Sequence, residues 1–367
     1  MAFEQFLVKM RHPCEMSFMM FRRVYVTAST AKTANSDQKV GLKAADIARK
    51  LRSEKQKPTV INKEVPVSPL QTRVKELKQF TQQLQSVHPS VFAKALYRSI
   101  LYQDKNILVV NKPYGVPVHS VDGIRNSIAE CLPLLAKITD DMQAGSHFHI
   151  CHNLEKDSTG VLILAKTKEA AEHVQTLIRS HQIQRKYLVI TVGVPVPSEG
   201  VIDIPIIEKE VMGPQPHFKM GLSPLFRVCE DGVTRVRAHR QAESAVTQYR
   251  VLDGTNGCSL VELQPVTGVK HQLRVHLALA LACPILGDHK YANWNKLAPQ
   301  KLPESALRRL DLVQSKTRYL PLHLHSRRIV LPGVKGHHEI TVSCPLPKYF
   351  TNALKKLQIP LPGKECD

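Results

Sequence analysis

The chain has 367 residues, 43% of them hydrophobic, with 51 Lys+Arg against 31 Asp+Glu and a formal net charge of +20. That length and apolar content exclude a stapled mini-protein and a wholly disordered chain, and suit one large domain with extensions or two smaller ones. The charge points to a polyanionic partner. No apolar stretch reaches transmembrane length, and the eight scattered cysteines form no Cys-x-x-Cys, so they read as reduced structural thiols.

In chain order, Arg22 and Arg23 precede a Ser/Thr/Ala-rich run, and no acid occurs from Met16 to Ser36. A basic, hydroxylated, acid-poor start predicts a mitochondrial transit peptide over residues 1–35. Residues 36–88, rich in Lys, Gln and Pro, read as a basic linker or arm carrying short helices near 44–52 and 72–84. The folded domain is expected over 89–347. Within it Asn106 to Val110 is a hydrophobic strand ended by Pro113, and Ile124 to Leu135 has helical spacing.

The run His152-Asn-Leu-Glu-Lys-Asp-Ser-Thr-Gly160 is a polar loop that enters the apolar stretch Val161 to Ala165. That stretch is short, β-branched at two positions and entered through a glycine, which predicts a core strand. Spacing alone leaves the loop either a capped turn or a functional loop held by a rigid element. Ala171, Val174, Leu177 and Ile178 then recur at helical spacing in Lys168 to Ser180, and Lys186 to Val192 reads as a strand. Residues 193–242 hold loops and hairpins with a basic end: Arg235, Arg237, His239 and Arg240 face either phosphate or solvent. Strands follow at Ala245 to Val251 and Ser259 to Gln264. From His271 a helix is expected, with Leu273, Leu277 and Leu281 on one face. A basic insertion at Trp294 to Arg318 precedes a strand at Leu320 to Ser326, and 348–367 reads as a C-terminal tail. His147, His149, Cys151 and His152 cluster, as do His323 and His325, but no zinc spacing is present, so no metal site is expected.

Several of these stretches together resemble the RluA-type RNA pseudouridine synthase family. Asn111-Lys-Pro-Tyr-Gly115 resembles its first motif. His152 to Gly160 resembles its catalytic motif, His-Arg-Leu-Asp followed by hydroxylated residues and glycine. Lys186-Tyr187 matches a further position. Lys270-His-Gln-Leu-Arg-Val-His276, then Gly287-Asp-His-Lys-Tyr291, match the remainder in family order. Two positions of the catalytic motif depart from the pattern: Asn153 stands where the family has arginine, and Glu155 where it has the catalytic aspartate; further on, Val269 replaces an arginine of the family.

The resemblance implies an α+β fold, a largely antiparallel mixed sheet in two halves with a central catalytic cleft. It implies isomerisation of uridine to pseudouridine, which imports no group and requires no cofactor. The target base must leave its stack to be reached. By resemblance Glu155 supplies the carboxylate at C1′, Arg274 pairs with it, and Tyr187 stacks on the base and serves the C5-proton step. His152, Asn153, Lys270, His271 and Gln272 would lie near the substrate or the RNA backbone. The partners implied are ribosomal, transfer or messenger RNA and mitochondrial ribosome-assembly factors, in the mitochondrial matrix. The departures at 153 and 155 leave two readings open: an active synthase, or an RNA-binding or ribosome-assembly factor on the same fold.

Overall fold

The computed structural model describes residues 68–139, 147–212, 216–224, 226–229, 232–235, 239–255, 257–332 and 339–361. The expected transit peptide, the arm up to residue 67, Arg237 and the last six residues lie outside them.

The elements in order are α1 (Pro69–Gln82), α2 (Pro89–Tyr97), β1 (Ile100–Gln103), β2 (Ile107–Lys112), α3 (Ile128–Ile138), β3 (His149–Ile150), β4 (Thr159–Ala165) and α4 (Lys168–Arg179). Then come β5 (Gln184–Val192), β6 (Glu199–Asp203), β7 (Ile206–Val211), β8 (His217–Leu222), β9 (Phe226–Cys229), β10 (Gly232–Arg235), β11 (Val246–Thr255) and β12 (Cys258–Pro265). The chain continues with α5 (Gln272–Val275), which widens into a π turn (His276–Ala280), then α6 (Glu304–Arg309), a 3-10 turn (Gln314–Tyr319), β13 (Leu324–Leu331), β14 (Ile340–Ser343) and α7 (Lys348–Leu357).

The main sheet runs β1-β2-β4-β13-β5-β12-β11-β6, with β3 added on β4 and β14 on β13. Its pairings are antiparallel except β4 with β13, a parallel pairing of two residue pairs, His325 with Thr159 and Ser326 with Gly160. That seam divides the sheet into the expected two halves. It also sits at the end of the 152–158 loop. Gly160 has φ +111, and a Cβ there would lie 2.1 Å from the Ser326 carbonyl oxygen, so only glycine lets the two backbones close.

Strands buried on both faces explain the continuous apolar runs. Leu162 and Leu164 of β4 pack into one core cluster with Phe92, Leu96 and Leu135, whereas Val161, Ile163 and Ala165 face a second with Ala171 and Val174 of α4. Each buried Val, Leu, Ile or Phe among them contributes about 1.5–3 kcal/mol. Leu188 and Ile190 of β5 face a third cluster built on α6 and α7.

Two domain boundaries need correction. The fold does not begin at Pro89. Helix α1 opens with a capping box, in which Ser68 Oγ accepts from the Gln71 N–H and Gln71 Oε1 accepts from the Ser68 N–H. Leu77 is buried, and the Phe80 ring packs 5.1 Å from Tyr114 and 4.7 Å from Tyr349. Nor is 348–367 simply a tail: α7 buries Tyr349, Phe350, Ala353, Leu354 and Leu357 in the third cluster. The helix expected from residue 124 starts at Ile128, where Ser127 Oγ caps the Glu130 N–H.

Candidate active site

The 152–158 loop is built to present one carboxylate. The Ser158 N–H and hydroxyl both donate to the Glu155 carbonyl (3.1 and 2.8 Å), closing a tight turn. The turn is held from beneath by Lys112 at the end of β2. Its side chain is fully buried, and Nζ donates to the carbonyls of Pro113 (3.1 Å), Lys156 (3.1 Å) and Ser158 (2.8 Å). Burial pulls this lysine down to about 7, against the charges of Asp157 and Glu155.

Across the cleft, α5 delivers Arg274, 8% exposed. Nε and Nη2 donate to Asp288 (2.9 and 2.7 Å), and Nη1 donates to Glu155. One guanidinium therefore bridges two carboxylates, from chain positions before and after it. Burial opposes the arginine's charge, but Glu155 and Asp288 overcome it and hold its pKa well above the usual value. Burial likewise pushes the Asp288 carboxyl up, yet the charge and hydrogen bonds of Arg274 hold it below the ordinary range. Charge-assisted, bidentate pairing of this kind fixes geometry as well as charge. The extra methylene of Glu155 is thus accommodated: its carboxylate reaches the arginine.

His271 sits at the entrance to α5 with φ +57, left-handed backbone that few non-glycine residues adopt. Its Nδ1 lies 2.6 Å from the Tyr291 hydroxyl, which itself accepts from the Met220 N–H at 3.3 Å. The His271 Nε2 lies 3.8 Å from Glu155 Oε2. Burial, with Arg274 and its basic neighbours, lowers the His271 pKa to about 3, so the ring is neutral.

A cleft of about 950 Å³ takes in Asn153, Glu155, Arg185, Tyr187, Lys270, His271, Gln272 and Arg274 in its lining, together with Tyr114 and His119. Tyr187 is 7% exposed; burial raises its phenol pKa, and the Arg185 charge opposes that rise. Lys270, on the rim, pairs with Glu208 of β7 at 3.1 Å.

Two residues expected near substrate spend their hydrogen bonds on other protein groups. His152 is outside the cleft lining: its Nε2 accepts from the Ile163 N–H at 3.1 Å, and burial lowers its pKa to about 4. Gln272 spends both amide protons on the Val246 carbonyl and Thr247 Oγ1, while its oxygen accepts from Thr267 Oγ1 and the Val269 N–H. It braces the loop that leads to Arg274. Asp157, the nearby acid, pairs with neighbouring Lys156 at 3.9 Å and stands apart from the arginine. Asp288, Lys112 and Arg185 were not assigned chemical roles on sequence grounds. The Gly287-Asp288 pair carried a signal: Gly287 has φ +85, and a Cβ there would lie 2.0 Å from the Pro321 carbonyl oxygen, so the turn that aims Asp288 requires glycine. Among the described residues no group of three His, Cys, Asp or Glu side chains could hold a metal ion, and no helix is long and apolar enough to cross a membrane.

A family model described as RNA pseudouridylate synthase matches residues 106–279. The mitochondrial pseudouridylate synthase RPUSD4 of Danio rerio is 74% identical over 358 residues, spanning 97% of this chain and 100% of that protein. The Homo sapiens protein of the same name is 48% identical over 353 residues, spanning 96% of this chain and 92% of its own. The solved structure of human RNA pseudouridylate synthase domain containing 4 superposes with a TM-score of 0.67 at 49% identity, covering 75% of this chain and 98% of that one.

Proposed function

The chain belongs to the RNA pseudouridylate synthase family, and from that premise we propose that Glu155, Arg274 and Tyr187 isomerise uridine to pseudouridine in ribosomal or transfer RNA of the mitochondrion. The compartment follows the designation carried by relatives matched along nearly the whole chain. The observation that carries the site reading is the Arg274 bridge between Glu155 and Asp288, in a cleft that Tyr187 also lines.

The residues divide the reaction between them. Glu155, aimed by Arg274, meets the electron-poor C1′ as the glycosidic bond breaks, covalently or electrostatically. The Tyr187 ring stacks on the extruded base and takes part in removing the C5 proton. Asp288 acts through Arg274 as a positioning residue. Lys270, Asn153 and the basic rim meet the RNA backbone, which predicts steeply salt-dependent binding.

The test is pseudouridine formation in a mitochondrial RNA pool by purified protein, beside Glu155→Asp and Glu155→Gln. Product from wild type and none from Glu155→Gln assigns the carboxylate to Glu155. A silent wild type beside an active Glu155→Asp would make the chain an RNA-binding factor on this scaffold.

A further inference from the structure

Strand β5 sends two side chains into the cleft. Residues two apart on a strand share a face, and Arg185 lines the same wall as Tyr187. Arg185 is 9% exposed. Its Nη2 donates to the carbonyls of Pro265 (3.5 Å) and Thr267 (3.0 Å), but its Nε is buried with no hydrogen-bond partner. Among the described residues no carboxylate lies within ion-pair distance of it. A Cβ on Gly268 would lie 3.7 Å from Nη1, so glycine leaves that edge of the guanidinium uncovered by a side chain. A buried charge with no carboxylate partner is costly unless a ligand answers it.

We propose that Arg185 donates to a carbonyl oxygen of the target uracil and takes up the negative charge that develops on the base as its glycosidic bond breaks. This rests on the reading of Glu155 and Tyr187 given above. When C1′–N1 breaks, the electron pair stays on the base and spreads from N1 to O2 and O4, while Glu155 answers the deficiency at C1′. The base turns, C5 bonds to C1′, the C5 proton leaves and N1 takes one up, so atoms and electrons balance without a co-reactant. The intermediate base is anionic, and it lies against the wall that carries Tyr187. A planar, permanently charged guanidinium fixed on a buried strand is preorganised for that charge. Its depth beside Tyr187 favours the base over a phosphate, which runs along the rim.

The test compares wild type, Arg185→Met and Arg185→Lys in single turnover, with uridine or 5-fluorouridine at the target position, and measures RNA affinity and thermal midpoint alongside. For the fluorinated base the readout is cleavage of the glycosidic bond. Arg185→Met is expected to lose about a hundredfold in rate with uridine, with affinity nearly unchanged and partial recovery in Arg185→Lys. The loss should shrink with 5-fluorouridine, whose base bears negative charge more easily unaided. An equal loss with both bases would reduce Arg185 to a brace for the 265–267 carbonyls. A fall in affinity and salt dependence at unchanged saturating rate would make it a phosphate contact. Unchanged rates would remove it from the reaction. If Arg185→Met does not fold, Arg185→Lys against the two bases makes the same distinction. A silent wild type would overturn the site reading itself, and this inference with it.

Discussion

Arg274 and Asp288 form a two-point pair, Nε to Oδ2 at 2.9 Å and Nη2 to Oδ1 at 2.7 Å, which fixes the guanidinium plane and leaves Nη1 for Glu155. Asp288 is fully buried and also accepts from the N–H groups of Lys290 and Tyr291, so it cannot swing with its partner. Asp288→Asn keeps the shape and removes the charge. Its turnover is expected to fall about a hundredfold, the cost of a roughly ångström-scale misplacement at the reacting centre, while RNA affinity holds. Equal turnover in wild type and variant would remove Asp288 from the positioning role.

Tyr187→Phe separates chemistry from packing. The ring and its burial remain, and only the hydroxyl facing Ser326 is lost. Stability should change by about 0.5–1.5 kcal/mol, the net contribution of one hydrogen bond. Rate should fall by about a hundredfold or more if the hydroxyl serves the proton step. Denaturant unfolding beside single-turnover kinetics reads both; a rate loss no larger than the stability change predicts would leave the ring as a stacking surface only.

Lys112→Met tests the hidden support of the loop. The substitution leaves three carbonyls without their donor, each costing about 1–3 kcal/mol if water cannot replace it. We expect a lower melting temperature and a weaker synthase, although Lys112 is buried beneath the loop and its Nζ is spent on backbone carbonyls. Retained stability and rate would show that the Glu155 turn closes by its own Ser158 hydrogen bonds.

Acid should destabilise the protein before its carboxylates titrate. His323 and His325 are buried, and both pKa values are lowered from 6.5 to about 4 by desolvation. Their folded-state pKa lies below the unfolded one, so the unfolded chain binds more protons in between. Stability is therefore full above 6.5 and is lost as pH falls toward about 4. Each such histidine contributes a slope of up to about 1.4 kcal/mol per pH unit in that window. Thermal midpoints measured at about pH 7.5 and about pH 5 should differ clearly; a flat profile would place both rings in solvent-reached sites.

The strands were legible because both faces of β2, β4 and β5 are covered, which makes their sequences continuously apolar. The pairing of Glu155 with Arg274 was legible through family resemblance, since no spacing rule links residues 119 positions apart. The role of Asp288 was missed because its carboxylate acts on another side chain rather than on the substrate. His152 and Gln272 were placed near the substrate by the same resemblance, which does not reveal the hydrogen bonds they make to other protein groups. The end of the fold was misread although its signal was present: Tyr349, Phe350, Ala353, Leu354 and Leu357 form one apolar helical face between lysines. For α1, the Ser68-x-x-Gln71 cap was equally readable. The widening of the helix after Val275 left no mark in composition or periodicity.

The insertion of β13 between β4 and β5 has a consequence for biogenesis. Glu155 precedes β4 and Tyr187 lies on β5, yet these strands are joined in the sheet only through Leu324–Leu331, near the far end of the chain. Without β13, β4 and β5 would each keep an open sheet edge. Such late, sequence-distant closure is slow to form. A fragment lacking β13 is therefore expected to be inert however well its motifs are preserved.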